Sequence, residues 1–198
     1  MAAREDHKQN KKYRDILKSA REVFWKHGFK RVTVEEICQK AGVSKMTYYR
    51  YFTNKTELAK TVYYEVVQQG MQRFKEIMSA DITPSEKIKQ IVLMKLEGTN
   101  DISQEFLKDF YYSADSELPK YVEELSRRSW DEILSDFKAA QQKGWFRKDF
   151  KPEFLFYFMQ KLGGEIYTDK NLLKLYPSTQ DFIMELINFF MYGISPRN

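Results

Sequence analysis

The stretch TVEEICQKAGVSKMTYYRYFTNKTEL, Thr33 to Leu58, limits what this chain can fold into more than any other. Thr33 stands three residues before Glu36, the spacing of a capping box, in which each side chain satisfies a backbone N–H of the other residue. A helix from Val34 to about Ala41 follows, and Gly42 stops it in the left-handed region that glycine tolerates best. Ser44 is the next N-cap and opens a third helix through Phe52. Asn54, with Glu57 three residues on, opens a fourth and much longer helix that reaches about Ser79, before Asp81-Ile82-Thr83-Pro84. Upstream, Ile16, Leu17, Ala20, Val23 and Phe24 recur at three- and four-residue spacings. They predict a first helix from about Lys8 to His27, with Gly28 as its C-terminal cap. Two short helices joined by Ala41-Gly42-Val43-Ser44 have the outline of a helix-turn-helix.

Helical periodicity continues beyond this stretch. Breaks fall at Pro84 and at Gly98-Thr99-Asn100; Leu118, Tyr121, Val122, Leu125, Ile133 and Phe137 mark a long helix ending near Gly144. Pro152 suits the first turn of the next helix, and Pro177-Ser178-Thr179 precedes the last. No segment alternates with period two, and there is no internal repeat. The expected fold is all-α, about nine helices, with an N-terminal three-helix helix-turn-helix domain over residues 1–54 and a helical body over 55–198.

Charge separates the same two parts. The formal net charge is +5, but residues 1–60 hold 15 Lys or Arg against 7 Asp or Glu, or +8, and the remaining 138 residues hold −3. A basic first part joined to a mildly acidic body implies an anionic partner for the first part only. The single cysteine, Cys38, forms no internal disulfide, and the N-terminus carries charges of both signs without an apolar run. Both features fit a reducing cytoplasm rather than secretion, and no apolar run reaches the roughly 18 residues of a membrane-spanning helix. His7 and His27 are too few and too far apart to hold a metal, and no cofactor signature is present.

Ile37 and Ala41 can pack against Val43, Tyr48 and Phe52, which leaves Lys45, Met46, Thr47, Tyr49 and Arg50 facing outward. Between Ile37 and Thr56 there are four basic residues, Lys40, Lys45, Arg50 and Lys55, and no acid. A helix face with Lys, Thr, Tyr and Arg suits a DNA major groove: cations for phosphates and guanine edges, a hydroxyl and methyl from Thr, hydroxyls from Tyr. A solvated face of a small helical domain is the plainer alternative.

AGVSKMTYYRYFTNKTEL (Ala41 to Leu58), with FWKHGFKRVTVEEIC before it, resembles the DNA-binding domain of the TetR (tetracycline repressor) family of bacterial regulators over residues 12–60. Its motif runs Gly-Val-Ser, a variable stretch, Tyr, an aromatic or His, Phe, then Lys-x-x-Leu. The resemblance implies base reading by Lys45, Met46 and Thr47, and a backbone contact by Tyr49. It implies phosphate contacts by Thr33, Arg50, Tyr51 and Lys55. Met46 stands where many members have Gly, and Tyr48 where many have Leu, so the operator does not transfer from a relative. Tyr48 is expected in the core with its hydroxyl at the rim. An arm with Arg4, Lys8, Lys11, Lys12 and Arg14 lies along DNA in such proteins, or is a solvated tail, since Glu5 and Asp6 interrupt it.

For the body, the resemblance implies a homodimer and a small-molecule effector. Of 31 aromatic residues, 23 lie beyond residue 60. Phe106, Phe110, Tyr111, Trp130, Phe137, Phe154 and Tyr157 can line a pocket between helices or simply pack as core. The last two helices, about Pro152 to Thr168 and Thr179 to Tyr192, match the family's dimer interface. Their apolar stripes carry Phe158, Leu162, Phe182, Leu186, Phe189 and Phe190, and Gly163-Gly164 would permit close approach. The function so implied is a transcriptional regulator, a repressor, that binds a palindromic operator and is released by its effector. A DNA-binding protein of the same fold without an effector, such as a nucleoid or division factor, is the alternative. A small helical enzyme is a more distant one.

Overall fold

A computed structural model describes residues 10–113, 117–158 and 169–195. Its α-helices are α1 (Lys11–His27), α2 (Val34–Ala41), α3 (Lys45–Tyr49), α4 (Lys55–Ser79), α5 (Pro84–Gly98), α6 (Gln104–Leu107), α7 (Leu118–Gln142), α8 (152–158), α9 (Lys170–Leu173) and α10 (Thr179–Gly193). A π-helical turn, Lys108–Tyr112, continues α6. No strand occurs among the described residues, so the all-α expectation holds.

The caps explain these boundaries. The Asn10 side chain accepts from the Lys12 amide at 3.0 Å, in an extended backbone that starts α1 at Lys11 rather than at Lys8, which lies outside the described residues. Thr33 and Glu36 form the full capping box: the Glu36 amide donates to Thr33 Oγ1 at 3.2 Å and the Thr33 amide to Glu36 Oε2 at 2.7 Å. Gly42 ends α2 at φ 63°, and Ser44 Oγ accepts from the Thr47 amide at 3.1 Å to start α3. α3 stops at Tyr49, short of Phe52: the Tyr51 amide closes a tighter turn on the Tyr48 carbonyl at 2.9 Å, and this carries Phe52 into the core. Asn54 Oδ1 then accepts from the Glu57 amide at 2.8 Å and opens α4.

The chain divides into two compact units. Unit 1 comprises residues up to Val66 together with Asp101–Val122. Its core is Ile16, Ala20, Phe24, Ile37, Tyr48, Phe52, Leu58 and Val62, joined by Trp25, Phe106 and Phe110. Each such large side chain contributes about 1.5–3 kcal/mol by leaving water. That 101–122 packs with the N-terminal helices has no counterpart in the local sequence pattern.

Unit 2 comprises Val67–Asn100 and Glu123–Asn198. Phe74, Ile77, Ile88, Ile91, Phe137, Phe146, Met191 and Ile194 form its core. Lys87 is buried there, donating to the carbonyls of Ile77 (3.0 Å), Met78 (3.1 Å) and Ala80 at the C-terminal end of α4, with its ammonium 4.1 Å from the Trp145 ring centre. A cation on these orphan carbonyls suits the negative end of the helix dipole.

Candidate nucleic-acid interface

α3 is only five residues long, so tertiary contacts must hold it. Ser44 caps its start, and Tyr48, fully buried, anchors its inner face between Tyr49 (5.2 Å, edge-on) and Phe52 (5.8 Å). The outer face then follows from the helical repeat. Met46 is 69% exposed and Tyr49 55%, and Lys45 and Arg50 are exposed beside them. Thr47 is half-buried, its hydroxyl 3.1 Å from that of Ser44. Tyr51 is half-buried, edge-on to Tyr13 at 5.6 Å. Thr33 is exposed, at the N-terminus of α2, with its hydroxyl 3.1 Å from Glu36 Oε2. Lys11, Lys12 and Arg14 are exposed on the first turn of α1; Arg4 lies outside the described residues.

Two features of the electrostatics go beyond the sequence reading. Lys45 is paired with Glu35 of α2, and this hydrogen bond raises the ammonium's pKa and lowers that of the carboxyl. The acid-free run from Ile37 to Thr56 is therefore balanced by an acid just before it. Lys55 is turned inward: Nζ donates to the carbonyls of Phe29 (2.7 Å), Val32 (2.6 Å) and Lys30 (3.4 Å) and lies 4.4 Å from the Phe29 ring centre. Burial lowers its pKa, and its three donors are committed to the loop between α1 and α2. Lys55 is thus a clamp on that loop rather than a free cation for phosphate.

Tyr48 also departs from expectation. Among the described residues its hydroxyl is buried without a hydrogen-bond partner instead of reaching the rim, and burial pushes its pKa well up. Cys38 is buried, as expected of an apolar side chain there, and burial raises its thiol pKa.

The aromatic residues expected to line a pocket are divided between the two units. In unit 1, Phe106 and Phe110 are buried with ring centres 4.4 Å apart, and Tyr111 shares a 3.0 Å hydroxyl–hydroxyl hydrogen bond with Tyr63. In unit 2, Phe137 is core and Trp130 meets Phe156 edge-on at 4.7 Å. Phe154 and Tyr157 are exposed on α8. Of the residues expected at a dimer interface, Phe158 and Phe189 are exposed, Leu186 and Phe190 are half-buried, and Leu162 and Gly163-Gly164 lie outside the described residues. Phe182 is only 1% exposed and packs on Tyr176 at 5.3 Å, so it is core rather than interface: it falls on the inner face of α10.

A capped α2, a left-handed glycine turn and a short α3 with an exposed Lys, Met, Tyr and Arg define a helix-turn-helix DNA-binding module. Residues 16–62 match the model of the bacterial regulatory proteins of the tetR family. It is 31% identical over 81 residues to the fatty acid metabolism regulator protein of Bacillus subtilis, a stretch covering 41% of this chain and 42% of that protein. The chain therefore spans less than half the length of that relative in the match. Among solved structures it is similar to the fatty acid degradation regulator FadR of Bacillus halodurans, with a TM-score of 0.69 at 18% identity, covering 96% of this chain and 99% of that one. It is also similar to FadR of Bacillus subtilis in complex with stearoyl-CoA, with a TM-score of 0.64 at 19% identity, covering 92% and 99%. At these identities the structural likeness is one of fold.

Proposed function

We propose that this protein is a cytoplasmic transcriptional repressor that binds a palindromic operator as a homodimer and leaves it when a small effector binds. The observation that carries this reading is α3: a helix too short to stand alone, fixed from behind by Tyr48 and Ser44, with Lys45, Met46, Tyr49 and Arg50 turned outward. In this reading residues 1–54 are the DNA-binding domain and 55–198 the effector-binding and dimerisation domain. Arg50 and Tyr49 hold phosphates, Thr33 adds a hydroxyl at the α2 N-terminus on turning from Glu36, and Lys45, exchanging Glu35 for DNA, and Met46 reach base edges, Met46 through apolar contact with a thymine methyl. Across a two-fold axis the two α3 helices would lie about 34–36 Å apart, one turn of DNA. The effector acts by its unequal affinity for the DNA-competent and DNA-incompetent arrangements.

Relatives named for fatty acid metabolism and degradation, one of them solved with stearoyl-CoA, support a long-chain acyl-CoA as the effector class. The test is a band shift with the full-length chain on a random-sequence duplex pool, followed by titration of stearoyl-CoA against the selected duplex. Retention of a palindromic sequence and its release by stearoyl-CoA are expected. Failure to retain any duplex at low salt overturns the DNA-binding reading; retention unaffected by stearoyl-CoA overturns the effector class. Arg50→Ala should weaken binding to all sequences alike and reduce the slope of log affinity against log salt by about two, one for each protomer of the dimer.

A further inference from the structure

The loop between α1 and α2 is held from two sides within unit 1. On one side Lys55 takes the carbonyls of Phe29, Lys30 and Val32. On the other, Asp109 in the π-helical turn accepts from the Lys30 amide through Oδ2 at 2.7 Å, and Asp109 is itself buried. The same segment grips the end of α1: the Ser103 amide and hydroxyl both donate to the Trp25 carbonyl, at 2.9 and 2.8 Å, while Phe106 lies 4.3 Å from the Trp25 ring. Gly28 marks how close the approach is. A Cβ there would lie 2.8 Å from Asp109 Oδ2 and 2.9 Å from Glu105 Cβ, and its φ of 78° suits glycine. The loop delivers the chain to Thr33, the N-cap of α2, so its path fixes where the helix-turn-helix begins.

We propose that Asp109 is a positioning residue for DNA reading: its bond to the Lys30 amide, together with the Lys55 clamp, fixes the 28–32 loop and with it the placement of α2 and α3. This rests on the reading of unit 1 as a DNA-binding head. Asp109 touches no nucleotide in this scheme. It acts through the loop, so its loss lowers affinity for every sequence without removing a phosphate contact. A buried charge-assisted hydrogen bond to a backbone amide is of the strength needed to select one loop path.

The experiment uses the full-length chain and a duplex selected by it from a random-sequence pool. Asp109→Ala is expected to weaken binding about tenfold with an unchanged salt slope, and to speed hydrogen exchange at the Lys30 amide. Asp109→Asn, whose carboxamide oxygen can still accept from Lys30 but without the charge, should lose less affinity than Asp109→Ala. Gly28→Ala, a wedge against Asp109 from the other side, should reproduce the Asp109→Ala loss. Tyr63→Phe removes the hydroxyl bond to Tyr111 in the same aromatic cluster and serves as the structural control: it should lower stability and keep DNA affinity.

Native affinity in Asp109→Ala, or an equal loss in Tyr63→Phe, overturns the proposal. So does an Asp109→Asn chain that binds as weakly as Asp109→Ala. Where Asp109→Ala does not fold, Gly28→Ala decides: native affinity with faster exchange at Lys30 overturns it, and weakened affinity with an unchanged salt slope supports it. If the native chain binds no duplex, it is the DNA-binding reading that fails, and the two failures are told apart.

Discussion

Among the described residues the Tyr48 hydroxyl is a buried donor without a partner, a group whose desolvation is not repaid. Tyr48→Phe keeps the ring that anchors α3 and removes that cost. It should raise stability in urea unfolding by up to about 1 kcal/mol while leaving DNA affinity unchanged. A stability loss would mean that the hydroxyl has found an acceptor. Glu36 presents the opposite case, a group satisfied by its surroundings. The Thr33 amide, then its hydroxyl, hold the Glu36 carboxyl below the usual glutamate range. Because the folded value lies below the unfolded one, the cap's contribution is complete above the unfolded value and is lost as pH falls through the folded value. In an NMR titration Glu36 and the Thr33 amide should move together, with a midpoint below that of a free glutamate.

At the scale of elements, α2 and α3 depend on their caps because neither is long enough for helix propensity to sustain it. Ser44→Ala should cost about 1 kcal/mol in chemical unfolding and weaken DNA binding, since α3 carries the outward face. Gly42→Ala should cost a similar amount, about 1 kcal/mol, because a Cβ at φ 63° is strained even though nothing lies within 4 Å of it; Gly42→Asn should cost less. These caps were legible in the sequence because each joins residues three or four apart: Thr33 with Glu36, Ser44 with Thr47, Asn54 with Glu57. The Asp109–Lys30, Ser103–Trp25 and Lys87–Ile77 bonds were not, since each is set by which segments pack together and leaves no periodic trace. Lys55 misled for the same reason. Its position fits the motif, but the loop carbonyls that engage it lie more than twenty residues away. Phe182 and Phe189 illustrate the limit of a stripe: both are Phe on α10, one turned to the core and the other 71% exposed.

At the scale of the molecule, unit 2 carries an aromatic surface that a single chain leaves open. Phe154 and Phe158 stack on α8 at 5.9 Å, Phe158 meets Phe190 of α10 edge-on at 5.9 Å, and Phe189 stands exposed beside Phe190. Apolar surface gathered on two neighbouring helices fits burial against a second copy of the chain. Phe189→Glu should shift the protein to monomers in sedimentation and abolish tight operator binding, because a lone head holds one half-site. Unit 2 folding should persist, as Phe189 contributes little to its own core. A dimer with native DNA affinity after this change would place the interface elsewhere.

The near-collision at Gly28 also has an evolutionary consequence. A carboxylate oxygen of Asp109 occupies the space where any side chain at position 28 would start. The two sites, far apart in the gene, therefore cannot drift independently. A lineage that acquires alanine or larger at 28 must both shorten residue 109 and shift the backbone at Glu105, whose Cβ and carbonyl carbon would lie 2.9 and 3.0 Å from the new Cβ, and an alignment deep enough to show these sites should record a correlated change.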